Sequence, residues 1–283
     1  MAVIVTKTVD EVRSLVKEWK RKGDTIGLVP TMGYLHEGHG SLIKRAVSEN
    51  DKVIVSDFVN PIQFAPSEDL STYPKDFDAD RALCEELGAD LIFAPEPSEM
   101  YKEDFSTHVD VSQITEGLCG KSRPTHFRGV CTVVSKLFHI SGANRAYFGQ
   151  KDAQQLAVVR RMVRDLNFDI QIIGCPIIRE DDGLAKSSRN TYLDDKERKA
   201  ATVLYRALSE GKNLLDGGER DTGVIVEKVQ EIIESEPMAK VDYVELLRWD
   251  SLENLSLVDG PVLLAVAVYI GRTRLIDNIV YSD

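Results

Sequence analysis

Apolar and polar positions alternate in two rhythms along this chain. Val9, Val12, Leu15, Val16 and Trp19 recur at the spacing of one helix face, and Thr8 with Glu11 supplies the pattern that opens a helix. These residues predict a helix over 9–20, preceded by a strand at 3–5. Short apolar runs predict further strands at 25–30, 52–59, 90–94, 145–148 and 169–173, and the 52–59 run is apolar enough to be buried on both faces. Between them, helical periodicity covers 41–48, 78–87, 127–140 and 153–166. Strands alternating with helices define an α/β class, a doubly wound parallel sheet with helices on both faces. In such sheets ligands collect beyond the carboxyl ends of the strands, where the strand order reverses.

The rhythm changes near Pro176. A polar segment runs to Asn190, followed by expected helices at 194–215 and 224–234 and strands at 242–247, 262–270 and 275–280, the last two joined by a turn at Gly271-Arg272-Thr273-Arg274. Helices followed by hairpin-linked strands predict a smaller α+β domain. The expected division is therefore 1–176 and 177–283.

Composition narrows the function. The 283 residues are 43% hydrophobic and 29% charged, as in a soluble globular protein, and the net charge of -11 would repel a phosphate backbone, which argues against nucleic acid as a partner. Cys84, Cys119, Cys131 and Cys175 are scattered without a Cys-x-x-Cys pair, so buried free thiols in a reducing compartment are expected. No apolar run approaches the roughly 20 residues of a membrane span, and the start is too brief for a signal peptide, so the expected location is the cytoplasm.

The chemistry centres on Gly27-Leu28-Val29-Pro30-Thr31-Met32-Gly33-Tyr34-Leu35-His36-Glu37-Gly38-His39. An apolar strand enters a glycine-bearing turn, and two of the chain's five histidines follow at the start of a helix expected from Ser41. Free N–H groups and a partial positive charge make a helix N-terminus an anion site. Gly33-x-x-x-x-Gly38 approaches a phosphate-binding P-loop, but His39-Gly40 stands where Lys and Ser/Thr belong. A zinc protease would need its histidines four apart in His-Glu-x-x-His, whereas here they are three apart with a glycine between.

Three further stretches carry candidate ligands. Pro61 breaks the strand before it, which brings Gln63 towards the crevice; its amide either recognises a hydroxyl or carboxylate there or lies in solvent. After strand 145–148 come Gly149, where backbone can approach a ligand closely, Lys151 with its ammonium, Asp152 as helix cap or ligand, and Gln155 one turn further in. Lys186-Ser187-Ser188-Arg189 places two hydroxyls between two cations, a phosphate clamp on a loop. Arg123 and His126 could close over a substrate or simply form a surface connection. Asp76, Asp78 and Asp80 either mark a solvated acidic helix start or lie near a phosphate-bound magnesium, which needs only one or two carboxylates.

The His-x-Gly-His pattern after a strand resembles the nucleotidyltransferase superfamily. The longer Pro-Thr-Met-Gly-x-Leu-His-x-Gly-His resembles the pantothenate synthetases, the pantoate–β-alanine ligases, as do Asn-Pro-x-Gln-Phe at 60–64, Phe-Gly-x-Lys-Asp-x-Gln-Gln at 148–155 and Ser-Ser-Arg-Asn at 187–190. The resemblance spans essentially the whole chain. It implies a Rossmann-like fold of nucleotidyltransferase type and ATP-dependent condensation of pantoate with β-alanine, releasing AMP and diphosphate through a pantoyl adenylate.

For the site, it implies catalytic roles for His39, His36 and Lys151. ATP contacts are implied for Pro30, Thr31, Met32, His36, Gly38, His39, Gly149, Lys151, Asp152, the backbone at Ile178, Lys186, Ser187, Ser188 and Arg189. Met32, Gln63 and Gln155 take the pantoate or β-alanine, and Arg123 and His126 act as a gate. Magnesium with ATP and a homodimer are implied too, Asp80 being the carboxylate considered for the ion. Lys186 departs from the methionine or leucine frequent in that family, and it either adds a phosphate contact or is solvated. Two other functions fit the same motifs: another adenylyl- or cytidylyltransferase, or a module that binds ATP without turnover.

Overall fold

Strands with no polar face need cover on both sides, and the chain supplies it. The computed structural model describes residues 2–66 and 68–282. From the N-terminus the order is β1 (Ile4–Thr6), α1 (Val9–Lys22), β2 (Ile26–Thr31), α2 (Glu37–Glu49), β3 (Lys52–Asp57), α3 (Phe77–Glu86) and β4 (Leu91–Phe93). Two short helices follow, α4 (Pro97–Met100) and α5 (Leu118–Ser122), then α6 (His126–Ser141), β5 (Arg145–Gly149), α7 (Ala153–Asp165) and β6 (Gln171–Cys175). The capping box expected at Thr8 and Glu11 forms, and Gly23, at φ +85, closes the far end of α1.

All pairings in the first sheet are parallel, in the order β1-β4-β3-β2-β5-β6. Alternate residues of each central strand serve opposite layers. Leu28, Ile54 and Leu91 pack with Val12, Val134 and Val159 from α1, α6 and α7, whereas Val29, Val55 and Ile92 pack with Ile43, Ala46 and Cys84 from α2 and α3. The chain winds outward through β2, β3 and β4, then returns to place β5 against the other side of β2. The strand order thus reverses between β2 and β5. Their pairing is brief, Gly27 with Arg145 and Leu28 with Ala146, although β2 continues to Thr31 and β5 to Gly149. Beyond Leu28 the two strands part and a crevice opens. Pro30, which has no N–H to pair, stands where that ladder has ended.

The second half holds α8 (Asp195–Ala200), α9 (Val203–Asp216), α10 (Thr222–Glu234), β7 (Ala239–Arg248), β8 (Val262–Ile270) and β9 (Thr273–Tyr281). These strands form an antiparallel sheet β7-β8-β9 with its own apolar core against α9 and α10. The single helix expected over 194–215 is two: hydrogen bonds tighten to three-residue spacing at Thr202 and Leu204, and the Thr202 hydroxyl donates to the Lys199 carbonyl instead of leaving it to the helix. The expected turn is a two-residue hairpin, Gly271-Arg272, with Ile270 paired to Thr273. Asn278 of β9 donates to the carbonyls of Gln150 (3.0 Å) and Lys151 (2.9 Å), so the second sheet pins the loop after β5.

All four cysteines are free and buried, as expected. Among the described residues no helix is long and apolar enough to cross a membrane.

Candidate active site

The first motif folds differently from its expected form. Helix α2 begins at Glu37, not Ser41, so the histidines belong to its cap: His36 is the N-cap residue and His39 the third position of the first turn. His36 Nδ1 accepts from the Gly38 N–H at 3.1 Å, while the His36 N–H donates to His39 Nδ1 at 3.3 Å. Imidazoles here do what a Ser/Glu pair does in an ordinary capping box. Each ring uses Nδ1 as an acceptor, which places its proton on Nε2 and leaves Nε2–H as a donor for a ligand. The rings lie 4.1 Å apart between centroids.

Both imidazoles are neutral at physiological pH. Burial, then the Lys151 and Lys186 charges, lower His36 to about 4; burial, then His36 and Lys151, lower His39 to about 3. They present aligned N–H dipoles to the crevice, with no charge of their own.

The crevice's guanidinium groups are already engaged. Arg189 holds Asp69 through Nε at 3.1 Å and Nη2 at 3.0 Å. Arg123 grips Glu68 in the same two-point manner, with Nη2 at 2.8 Å from Oε2. Lys186 is partly exposed but not free: it pairs with Glu37 at 3.1 Å and reaches Glu180 at 3.8 Å. Among the described residues Lys151 has only a loose carboxylate neighbour, Asp152 at 3.8 Å. Ser187 caps the following turn by accepting from the Arg189 N–H at 3.3 Å, and Ser188 Oγ lies 3.4 Å from the Tyr34 carbonyl it donates to. The clamp loop thereby touches the first motif. Asp152 holds the N-cap position of α7, but its side chain accepts no bond there.

Gln63 is buried. Its Nε2 donates to Met32 Sδ at 3.0 Å, and Asn60 Nδ2 donates to its Oε1 at 3.0 Å and to the Gly129 carbonyl at 3.2 Å. A methyl group on Gly129 would sit 2.5 Å from the Ile62 carbonyl, so glycine is what lets α6 lie against this turn. The two adjacent glutamines of α7 divide their work. Gln154 spends its amide on Cys119, Ile114 and Gly117, whereas Gln155 has no protein partner among the described residues and faces the crevice. His126 donates from Nδ1 to the Gln63 carbonyl at 3.0 Å and accepts from Arg123 at 3.2 Å, so the two gate candidates form one linked unit.

Asp80 lies elsewhere. Its carboxylate accepts from the N–H groups of Tyr34 (2.7 Å) and Leu35 (2.5 Å), beneath the Gly33–Leu35 turn, and it also accepts from Asp57. It lines a separate cavity of about 360 Å³ on the far side of that turn. Both its oxygens are thus engaged by backbone, and it does not line the crevice. Among the described residues no group of three His, Cys, Asp or Glu is arranged to hold a metal. Asp152, by contrast, lines the crevice, and one carboxylate suits an ion that arrives on a triphosphate.

Burial, with the Asp80 charge beside it, raises Asp57 to about 6, Lys75 offsetting part of the shift. A carboxyl that holds its proton more tightly when folded contributes stability below its unfolded value, and that stability is lost as pH rises towards 6. The melting temperature of the wild-type protein should therefore fall between pH 4.5 and 7 relative to Asp57→Asn, whose amide keeps a donor with no proton to release. Parallel curves for the two proteins would refute the shift.

Every candidate from the sequence except Asp76, Asp78 and Asp80 lines a single cavity of about 220 Å³ at the β2–β5 switch, beneath a wall of Val130, Val133, Val134 and Leu137 from α6. A larger space of about 650 Å³ adjoins it and shares Lys151, Asp152, Gln155 and Arg189, with β8 and β9 on its opposite side. Sequence reasoning passed over the counterions Glu68 and Asp69 and the Asp57–Asp80 pair. Of these only Asp80 was singled out from the sequence, as a carboxylate considered for magnesium.

Comparison with known proteins converges on one family. The sequence profile of pantoate-beta-alanine ligases matches residues 4–280. A pantothenate synthetase of Ruminiclostridium cellulolyticum is 60% identical over 271 residues, covering 96% of each chain. That of Clostridium acetobutylicum is 59% identical over 278 residues, covering 98% of this chain and 99% of the relative. The crystal structure of a pantothenate synthetase from Thermus thermophilus superposes with a TM-score of 0.94 at 45% identity, covering 98% of this chain and 99% of that one. A pantoate-beta-alanine ligase from Francisella tularensis, solved with a β,γ-form of ATP and β-alanine, matches at a TM-score of 0.81 and 35% identity, covering 98% of this chain and 97% of that one.

Proposed function

The chain belongs to the pantoate–beta-alanine ligase family, whose members join pantoate to β-alanine with ATP, and we propose that the β2–β5 crevice carries out both halves of this reaction. The observation that carries the assignment of residues is the shared cavity: motifs from residues 30, 63, 150 and 187 onwards converge on one space at the strand-order switch. An adenylyltransferase that keeps the nucleotide on its product, or a binding module without turnover, has no observation in its favour.

In the first half-reaction a pantoate carboxylate oxygen attacks the α-phosphorus of ATP. The bond to the bridging oxygen breaks, and diphosphate leaves with that electron pair. An anion attacking an anion is the physical difficulty, so the site must supply positive potential where charge accumulates. The start of α2, the two Nε2–H donors, Lys151 and the Ser187–Arg189 loop supply it. Magnesium arriving with ATP would add further neutralisation, and Asp152 is the carboxylate that would hold it. Gln63 and Gln155 orient pantoate against the apolar wall of α6. In the second half-reaction the β-alanine amine attacks the acyl carbonyl, AMP leaves, and the amine proton passes to solvent. The 177–283 unit, beginning after Pro176, serves as the lid that keeps water from the acyl adenylate, with Arg123 and His126 at the opposite edge. A homodimer and a cytoplasmic location follow the family resemblance alone.

Gln155→Ala tests this arrangement. It should raise the KM for pantoate about tenfold or more, as expected when about 1–3 kcal/mol of recognition by a half-buried amide is lost, and leave that for ATP within about twofold. Equal losses for the two substrates in ATP–diphosphate exchange would remove the assignment.

A further inference from the structure

Two residues in a row, Gly33 at φ +76 and Tyr34 at φ +52, adopt the left-handed conformation, with only Leu35 between them and His36. For tyrosine this backbone is unfavourable by about 1–3 kcal/mol and persists only where the surroundings enforce it. Three elements do so. From β2, Thr31 Oγ1 accepts from the Gly33 N–H at 3.2 Å. From α3, Asp80 takes both of the next N–H groups, Tyr34 at 2.7 Å and Leu35 at 2.5 Å, one on each carboxylate oxygen. From the clamp loop, Ser188 Oγ approaches the Tyr34 carbonyl at 3.4 Å. Gly33 admits no larger residue, since a Cβ would lie 2.4 Å from Asp57 Oδ1 and 3.2 Å from Asp80 Oδ2.

We propose that Asp80 is a positioning residue of the ligase reaction: by binding the Tyr34 and Leu35 N–H groups it fixes the turn that sets the His36 ring and receives Ser188. The inference rests on the reading of His36 given above. Asp80 touches no substrate and acts from outside the reaction crevice. It spans from α3 to the peptide unit that Ser188 meets from the other side, so the two signature segments are registered against each other through a single residue's backbone. A carboxylate suits this work because its two oxygens accept two successive N–H groups at once, and charge-assisted bonds of this kind are about twice as strong as neutral ones. An amide in its place offers one acceptor and turns an N–H donor towards the second N–H. Misplacing a preorganised donor by about 1 Å costs on the order of 10²-fold in rate.

The experiment has two arms on the full-length protein. In the wild type, amide hydrogen exchange at Tyr34 and Leu35 should be slow, although neither residue belongs to a helix or strand. Exchange as fast as in exposed loops would overturn the clamp whatever any variant does. In the second arm, ATP–diphosphate exchange is measured with pantoate for Asp80→Asn, Asp57→Asn and His36→Ala. Asp80→Asn should lower kcat about 10- to 100-fold with the KM for ATP and pantoate within about threefold, while Asp57→Asn, which leaves both N–H bonds in place, stays within about threefold in kcat. Loss in His36→Ala but not in Asp80→Asn would refute the positioning role and spare the active-site reading. Equal losses in Asp80→Asn and Asp57→Asn would make the effect one of packing, again refuting it. A fully active His36→Ala enzyme would sink both readings together.

Discussion

Replacing His39 by alanine should lower the rate of pantoate-dependent ATP–diphosphate exchange by about 10²–10³-fold, the usual consequence of deleting one preorganised donor to developing charge. The ring is held before substrate arrives: its Nδ1 accepts from the His36 N–H, so Nε2–H keeps its direction at no further cost in ordering. Alanine also orphans that N–H, which confounds loss of the donor with loss of the cap. His39→Asn separates them, because an asparagine oxygen can accept the cap bond without restoring Nε2–H. We expect Asn to recover stability but not rate. Because burial lowers His39 to about 3, its contribution should also be independent of pH between 6 and 8. A His39→Ala enzyme within tenfold of wild type would exclude the ring from the chemistry.

Lys151→Ala should be at least as damaging, about 10³-fold in kcat, comparable to removing a cation from other phosphoryl-transfer sites. The structure singles out this lysine. Arg123, Arg189 and Lys186 also line the cavity, but each is closely paired with a carboxylate, whereas the Lys151 ammonium lies 3.8 Å from its nearest one. Its charge is therefore the one least offset by the protein. Lys151→Arg is not expected to rescue the rate, since a planar fork on a longer reach cannot occupy the place of a compact ammonium. Retention of more than a tenth of wild-type kcat by Lys151→Ala would contradict the argument.

How much of this was legible in the sequence depended on whether one residue's neighbours lay close along the chain. The parallel sheet was readable because strands such as Val53–Val55 are buried on both faces and carry no polar residue to confuse the pattern. The signature motifs were readable because each is a short run following a strand. Helix α2 was placed late because Gly38 and Gly40 are poor helix formers; the imidazole capping box, formed by tertiary position as much as by propensity, overrides them. Likewise Asp152 looks like a cap in sequence yet caps nothing, and Thr202 interrupts a helix whose apolar periodicity runs through it. The counterions were hidden for a different reason. Asp69 and Arg189 are 120 positions apart, and Glu68 and Arg123 are 55 apart, so no local pattern links them. The Asp80 bonds to Tyr34 and Leu35 were equally out of reach, and an acidic helix start concealed the one carboxylate that turns inward.

The neighbours Glu68 and Asp69 give the crevice a selectivity of its own. Each grips an arginine from a different half of the molecule with two-point geometry that a stray phosphate or sulfate would have to displace. A small anion gains one guanidinium and must leave one carboxylate stranded, an exchange with little net driving force. A nucleotide bound as proposed, meeting Lys151 and the cap of α2 as well, would have other contacts with which to offset that displacement. On this reasoning inorganic phosphate should compete weakly for the crevice, and only a guest that engages several segments at once should free the arginines.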